Sequence, residues 1–171
     1  MNLMKSKKQI IWLIVLTILF YVTGRLGYQH IYRLTIDTVQ LFANGKIGFF
    51  GKFPFWLLGD PRFGLIFGSI PLTIFLTLKL FLRGSDYKFS GTILVYILCF
   101  ITSYFFFCFL QNIQLTASND FIKDGEMFRY RIGDVDLNEI FLLTIFTATI
   151  LTYITLFVVK WVSKRRNLTS F

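Results

Sequence analysis

Gly91–Leu110 reads GTILVYILCFITSYFFFCFL, twenty residues without a charge. As a helix such a run rises about 30 Å, the thickness of a bilayer's hydrocarbon core. Three further stretches of similar character accompany it: Gln9–Tyr28, Phe63–Leu82 and Ile140–Val159. Together they predict an all-α membrane protein, with four transmembrane helices in an antiparallel bundle making one domain over residues 1–171. The expected connections are two outer loops, about 29–62 and 111–139, and a tight basic turn, Arg83–Lys88. The composition agrees. Hydrophobic residues make up 55% of the chain and charged residues 16%, where a soluble domain carries about a quarter charged.

The net charge of +9 points first toward nucleic acid, but its distribution points to a membrane instead. The basic excess lies in three segments: Lys5, Lys7 and Lys8; Lys79, Arg83 and Lys88; and Lys160, Lys164, Arg165 and Arg166. Asp86 is the one acid among them. In the other two connections basic and acidic residues balance. Charge of this kind on one side of a bilayer is the positive-inside bias, and it predicts both termini in the cytoplasm of a multi-pass bacterial inner-membrane protein. The N-terminal lysines followed by an apolar run resemble a signal peptide. Tyr21-Val22-Thr23-Gly24-Arg25 lacks a small-x-small cleavage pattern, so an uncleaved first helix is expected.

The connections carry recognisable local signals. Gly24-Arg25-Leu26-Gly27 reads as the end of the first helix, and His30–Phe42 as a short surface helix. Gly45–Trp56 mixes glycine, lysine and aromatic residues, a composition suited to the headgroup layer. Asp60-Pro61 opens the second helix, where a proline's missing N–H costs least, and Pro71 is expected to kink it.

Candidate functional residues are few. Gly64-x-x-x-Gly68 permits close helix approach, within the chain or to a partner. Thr144, Thr147, Ala148, Thr152 and Thr155 fall within about 140° of arc on the fourth helix, with Thr149 outside it. That stripe reads either as a packing seam or as a recognition face for another membrane-inserted helix. Asp120 and Asp124 begin an acidic run in the second outer loop whose spacing fits no calcium loop and which suits docking of a partner. Arg25-x-x-x-x-His30 matches a loose ribonuclease pattern out of its context. Cys99 and Cys108 lie nine residues apart, on opposite faces of one helix. No Asp, Glu, Lys, Arg or His sits deep within a span, which argues against a pump or ion pathway. No catalytic, cofactor or metal signature is present, and no enzyme is expected.

Phe109-Leu110-Gln111-Asn112-Ile113-Gln114-Leu115-Thr116-Ala117 resembles a stretch at the outer end of the third helix in immunity proteins against pore-forming colicins of the A and B type. Thr152-Tyr153-Ile154-Thr155-Leu156-Phe157 is similar to the end of their last helix, and Asp60-Pro61 followed by Pro71 echoes a weaker feature. The resemblance implies four spans, cytoplasmic termini, no cofactor and no catalysis. It implies protection of the cell by binding a membrane-inserted toxin domain and blocking its pore. Thr144, Ala148, Thr152, Thr155, Gly64 and Gly68 are then the expected contact residues, with Asp120 and Asp124 adding charge recognition. The competing expectations are a membrane subunit of an anti-phage or other complex with a cytoplasmic partner, a homo-oligomeric pore-forming effector, and a membrane enzyme. None of them involves direct contact with nucleic acid.

Overall fold

The computed structural model describes residues 3–42, 47–51, 59–81, 89–117 and 128–168. Among these residues five helices run in chain order: α1 Leu3–Leu41, α2 Pro61–Gly68, α3 Ile70–Phe81, α4 Phe89–Ala117 and α5 Leu137–Leu168. Two short strands, β1 Ile47–Phe50 and β2 Phe128–Arg131, pair between them, and a 3-10 turn at Ile132–Asp134 follows β2. Among the described residues three stretches are long and apolar enough to cross a membrane: Gln9–Leu41, Gly91–Ala117 and Leu137–Val162. Pro61–Thr77 is a shorter apolar stretch. The architecture is that expected of a helical membrane protein.

The helices outrun their sequence-based limits. The expected first helix, 9–28, is one continuous helix of 39 residues that absorbs the surface helix placed at His30–Phe42. The expected second helix, 63–82, is two pieces of 8 and 12 residues, α2 and α3. The expected third and fourth, 91–110 and 140–159, grow to 29 and 32 residues. The two outer loops, 29–62 and 111–139, are therefore partly helix and partly sheet.

Glycine explains the first of these differences. Gly24 does not end α1; it lets α2 approach. A Cβ at Gly24 would lie 2.5 Å from Cβ of Phe67, closer than side-chain atoms pack. On the facing helix a Cβ at Gly64 would lie 3.0 Å from Cε2 of Tyr21, and one at Gly68 3.3 Å from the Thr17 carbonyl oxygen. Gly59 adopts φ +69°, and a Cβ there would fall 1.6 Å from the Arg25 carbonyl oxygen. Arg25 thus faces Gly59, while Tyr21 faces both Gly64 and Gly68, so α1 and α2 run antiparallel at small separation.

Asp60 caps α2: its Oδ1 accepts the Arg62 N–H at 2.8 Å, with Pro61 in the first turn. The break between α2 and α3 falls at Ser69, two residues before Pro71. Ser69 keeps a helical backbone, φ −74° and ψ −18°. Its N–H is shared between the carbonyls of Leu65 and Ile66, both at 3.1 Å, and its Oγ donates to Ile66 O at 2.6 Å. Pro71 has no N–H to give the Phe67 carbonyl, so the ladder tightens just upstream.

The larger buried cluster lies where α1 and α4 end and α5 begins, and includes Tyr28, Tyr32, Ile36, Val39, Phe63, Cys108, Val135 and Phe141. Phe141 is its hub. Its ring centroid lies 5.0 Å from Phe63, 5.5 Å from Tyr104 and 6.2 Å from both Phe67 and Phe100. A smaller cluster of Ile70, Tyr96, Ile145 and Ala148 lies deeper in the bundle.

The sheet was not foreseen. β1 and β2 pair in parallel, with Ile47 opposite Phe128 and Phe50 opposite Arg131. A two-stranded ribbon is marginal on its own. Here it packs on the helices: Ile47 is fully buried, the Tyr130 hydroxyl donates to the Leu115 carbonyl, and Gln40 Nε2 donates to Ile47 O at 3.0 Å.

Substitution at the glycine contact tests this packing. Gly24→Ala is expected to lower unfolding stability in detergent by about 1–3 kcal/mol through overpacking. Gly59→Ala is expected to cost at least as much, since it adds strain at positive φ. Gly91→Ala, with open space around it, is expected to be neutral or slightly stabilising. Chemical unfolding followed by circular dichroism checks the order of the three.

Candidate recognition site

The structure divides the residues expected to form a recognition face. Thr144, Ala148 and Thr152 are fully buried inside the bundle. Thr144 Oγ1 donates to Ile140 O and Thr152 Oγ1 to Ala148 O, each at 2.7 Å, so both hydroxyls are satisfied within α5 itself. Ala148 packs in the deeper cluster with Ile70 and Tyr96. Gly64 and Gly68 are buried against Tyr21 and Thr17 of α1. These five small residues lie where the chain's own helices meet, and a partner reaches them only by separating those helices. Thr155 is exposed and Thr147 is half-buried. Asp120 and Asp124 lie outside the described residues.

Three of the described acidic residues, Asp60, Asp134 and Asp136, have local structural tasks. Asp136 Oδ1 accepts the backbone N–H groups of Asn138 at 2.9 Å and Glu139 at 3.1 Å, capping α5. Asp134 Oδ2 accepts the Arg131 N–H at 2.9 Å. Asn138 Nδ2 donates to Asp60 Oδ2 at 3.1 Å, which ties the start of α5 to the start of α2. Arg25 and His30 stand about 140° apart on one helix, so they share no face. Arg25 Nη1 lies 3.4 Å from the Tyr21 hydroxyl, and His30 is exposed. Cys99 and Cys108 are free thiols, the second fully buried. Among the described residues no three His, Cys, Asp or Glu side chains converge as a metal site would require.

What the bundle does present sideways is a groove of about 290 Å³ between α2–α3 and α5. Ile66, Ser69 and Thr73 form one wall; Ile145, Phe146 and Thr149 form the other. Its hydroxyls are already engaged. Thr73 Oγ1 donates to Ile70 O at 2.8 Å and lies 3.0 Å from the Tyr96 hydroxyl, while Thr149 Oγ1 donates to Ile145 O at 2.7 Å. The groove therefore offers shape and apolar contact, which is how helices recognise one another in lipid. The sequence reading missed Ser69, Thr73 and Thr149. Ile66, Ser69 and Thr73 recur at helical spacing, and Thr149 was set aside because it fell outside the threonine stripe.

A second group of polar contacts locks the far half of α1. Thr35 Oγ1 and the Tyr104 hydroxyl lie 2.9 Å apart, the Tyr32 hydroxyl donates to Val135 O at 2.8 Å, and Asn112 Nδ2 donates to Val39 O at 3.2 Å. Asn112 and Leu115, both in the stretch that carries the family resemblance, are buried here.

No known family model, curated protein or solved structure matches this chain.

The Thr35–Tyr104 contact is suited to a double-mutant cycle. Thr35→Val and Tyr104→Phe, unfolded singly and together in detergent, are expected to show a coupling of about 0.6 kcal/mol. Additive losses would mean that the pair contributes packing alone.

Proposed function

We propose that this chain is a non-enzymatic, multi-pass protein of a bacterial inner membrane that protects its cell from a pore-forming bacteriocin. It does so by binding the toxin's membrane-inserted helices and blocking pore opening. Two things support the reading: the resemblance at Phe109–Ala117 and Thr152–Phe157, and the lateral groove between α3 and α5. The groove carries most of the weight, because it offers a second helix a shaped apolar surface with its hydroxyls already engaged.

In this proposal α2 and α3 together supply a fourth span, since their combined rise is about 30 Å. The basic residues at the start of α1 and the end of α5 support a cytoplasmic side for both termini. A toxin hairpin that enters the bilayer then meets the groove by lateral diffusion. The protector binds the closed arrangement of inserted helices better than the open one, and that difference in affinity sets how far pore opening is suppressed. Phe146, 64% exposed at the groove's rim, and Thr155, exposed further along α5, are the positions that discriminate between toxins by fit or clash. A second reading, a membrane subunit of an anti-phage or other complex, draws support from Lys164, Arg165 and Arg166, which extend α5 toward a cytoplasmic partner.

Topology is checked first. Alkaline phosphatase fused after Ala117 is expected to be active and fused after Phe171 inactive. Function is checked by expressing the protein in a sensitive strain challenged with a panel of pore-forming bacteriocins. One member of the panel is expected to be neutralised, and Phe146→Ala with Thr149→Leu is expected to reduce that protection about tenfold or more at equal protein level, the equivalent of about 1.4 kcal/mol of binding. Protection against none, with a cytoplasmic protein co-purifying, would favour the second reading.

A further inference from the structure

A second groove, of about 410 Å³, opens at the opposite end of the bundle from the large aromatic cluster. Its α1 wall runs from Gln9 to Phe20; Pro71 and Phe75 of α3 and Ile93 of α4 close it. The lining is almost wholly apolar. The α1 wall rises about 16 Å, half the roughly 30 Å hydrocarbon core. A groove one leaflet deep matches the acyl chain of a single lipid.

The end of this groove is basic. Lys79 is exposed and stands one turn beyond Phe75 on α3. Lys5 and Lys8 stand one turn beyond Gln9 and Trp12 on α1. Neither α3 nor α4 contains an acid, and the single acid of α1, Asp37, lies at its far end. Trp12, 67% exposed, sits at the rim, where an indole favours the boundary between hydrocarbon and headgroup. Basic pockets between membrane helices are a recurrent form of anionic headgroup recognition.

We propose that this groove is a binding site for one anionic glycerophospholipid. An acyl chain lies between α1 and α3, and the phosphate sits at the basic end, beside Lys79 and the first turns of α1, whose sequence carries Lys5 and Lys8. The bound lipid covers a side of α1 that the protein itself leaves bare, and it braces the loosely packed end of the bundle. The site needs only that the chain sits in a membrane; it stands or falls independently of the bacteriocin reading.

The test uses tryptophan quenching. The full chain carrying Trp56→Phe and Trp161→Phe keeps Trp12 as its sole tryptophan. It is reconstituted in phosphatidylcholine vesicles that contain either brominated phosphatidylglycerol or brominated phosphatidylcholine. Phosphatidylglycerol is expected to quench with an apparent affinity about fivefold or more above that of phosphatidylcholine. Lys5→Gln, Lys8→Gln and Lys79→Gln together are expected to abolish the preference. Ile74→Phe, which narrows the groove and leaves the charge unchanged, is expected to weaken it. Equal quenching by both lipids would overturn the proposal, as would a preference that survives the triple variant. So would a preference untouched by Ile74→Phe, since the lysines would then act as an open surface. Quenching by neither lipid would also overturn it, because the groove would then be covered by a second copy of the chain.

Discussion

The close approach of α1 and α2 sets the course of everything else in this protein. Four glycines permit it: Gly24 on α1, Gly64 and Gly68 on α2, and Gly59 at the turn into α2. In lipid there is no hydrophobic drive to press helices together, so close packing must supply the association. With α1 held this tightly along Thr17–Arg25, its remaining turns continue as one unbroken helix. They pass α4 at Tyr104 and Asn112 and meet the segment before α5 at Val135. The aromatic cluster around Phe141 forms because α1, α2, α4 and α5 all converge at that level.

Polarity inside the bundle is handled mostly within single helices. Thr35, Thr73, Thr77, Thr144, Thr149 and Thr152 each return a hydroxyl proton to a carbonyl three or four residues earlier. These six pack as small groups with their donors met, whereas the buried hydroxyls of Thr17, Thr92 and Ser103 have no partner among the described residues. Interhelical hydrogen bonds are reserved for a few places, Thr35 with Tyr104 and Thr73 with Tyr96 among them. The bundle is therefore tight at the aromatic end and open at the basic end, where α1 is mostly bare.

Much of this was legible from residue type alone, and the rest was not, for reasons that can be named. The apolar runs located α4 and α5 because hydrocarbon demands unbroken apolar length. Their extra turns, Gln111–Ala117 and Lys160–Leu168, are polar helix that no hydropathy pattern marks. Gly24 and Gly27 read as a helix end because glycine usually is one; only the facing Phe67 gives Gly24 its other purpose. The threonine stripe on α5 was a true face, but periodicity cannot say what covers a face, and the chain's own helices cover most of this one. The groove between α3 and α5 was hidden because its walls come from separate helices. Ile47–Phe50 looked like headgroup-layer sequence because its partner strand is far away in the chain.

That last separation bears on how the protein is made. β1 emerges from the ribosome well before β2, since Ile47 pairs with Phe128 about eighty residues later. At roughly 5–20 residues per second the first strand waits roughly 4–16 s for the second. Parallel pairing admits no short hairpin, so α2, α3 and α4 must all be placed before the ribbon can close. The sheet thus closes after α4 has been made and just before α5 is, and a chain stalled midway through synthesis leaves the edge of β1 without its partner strand.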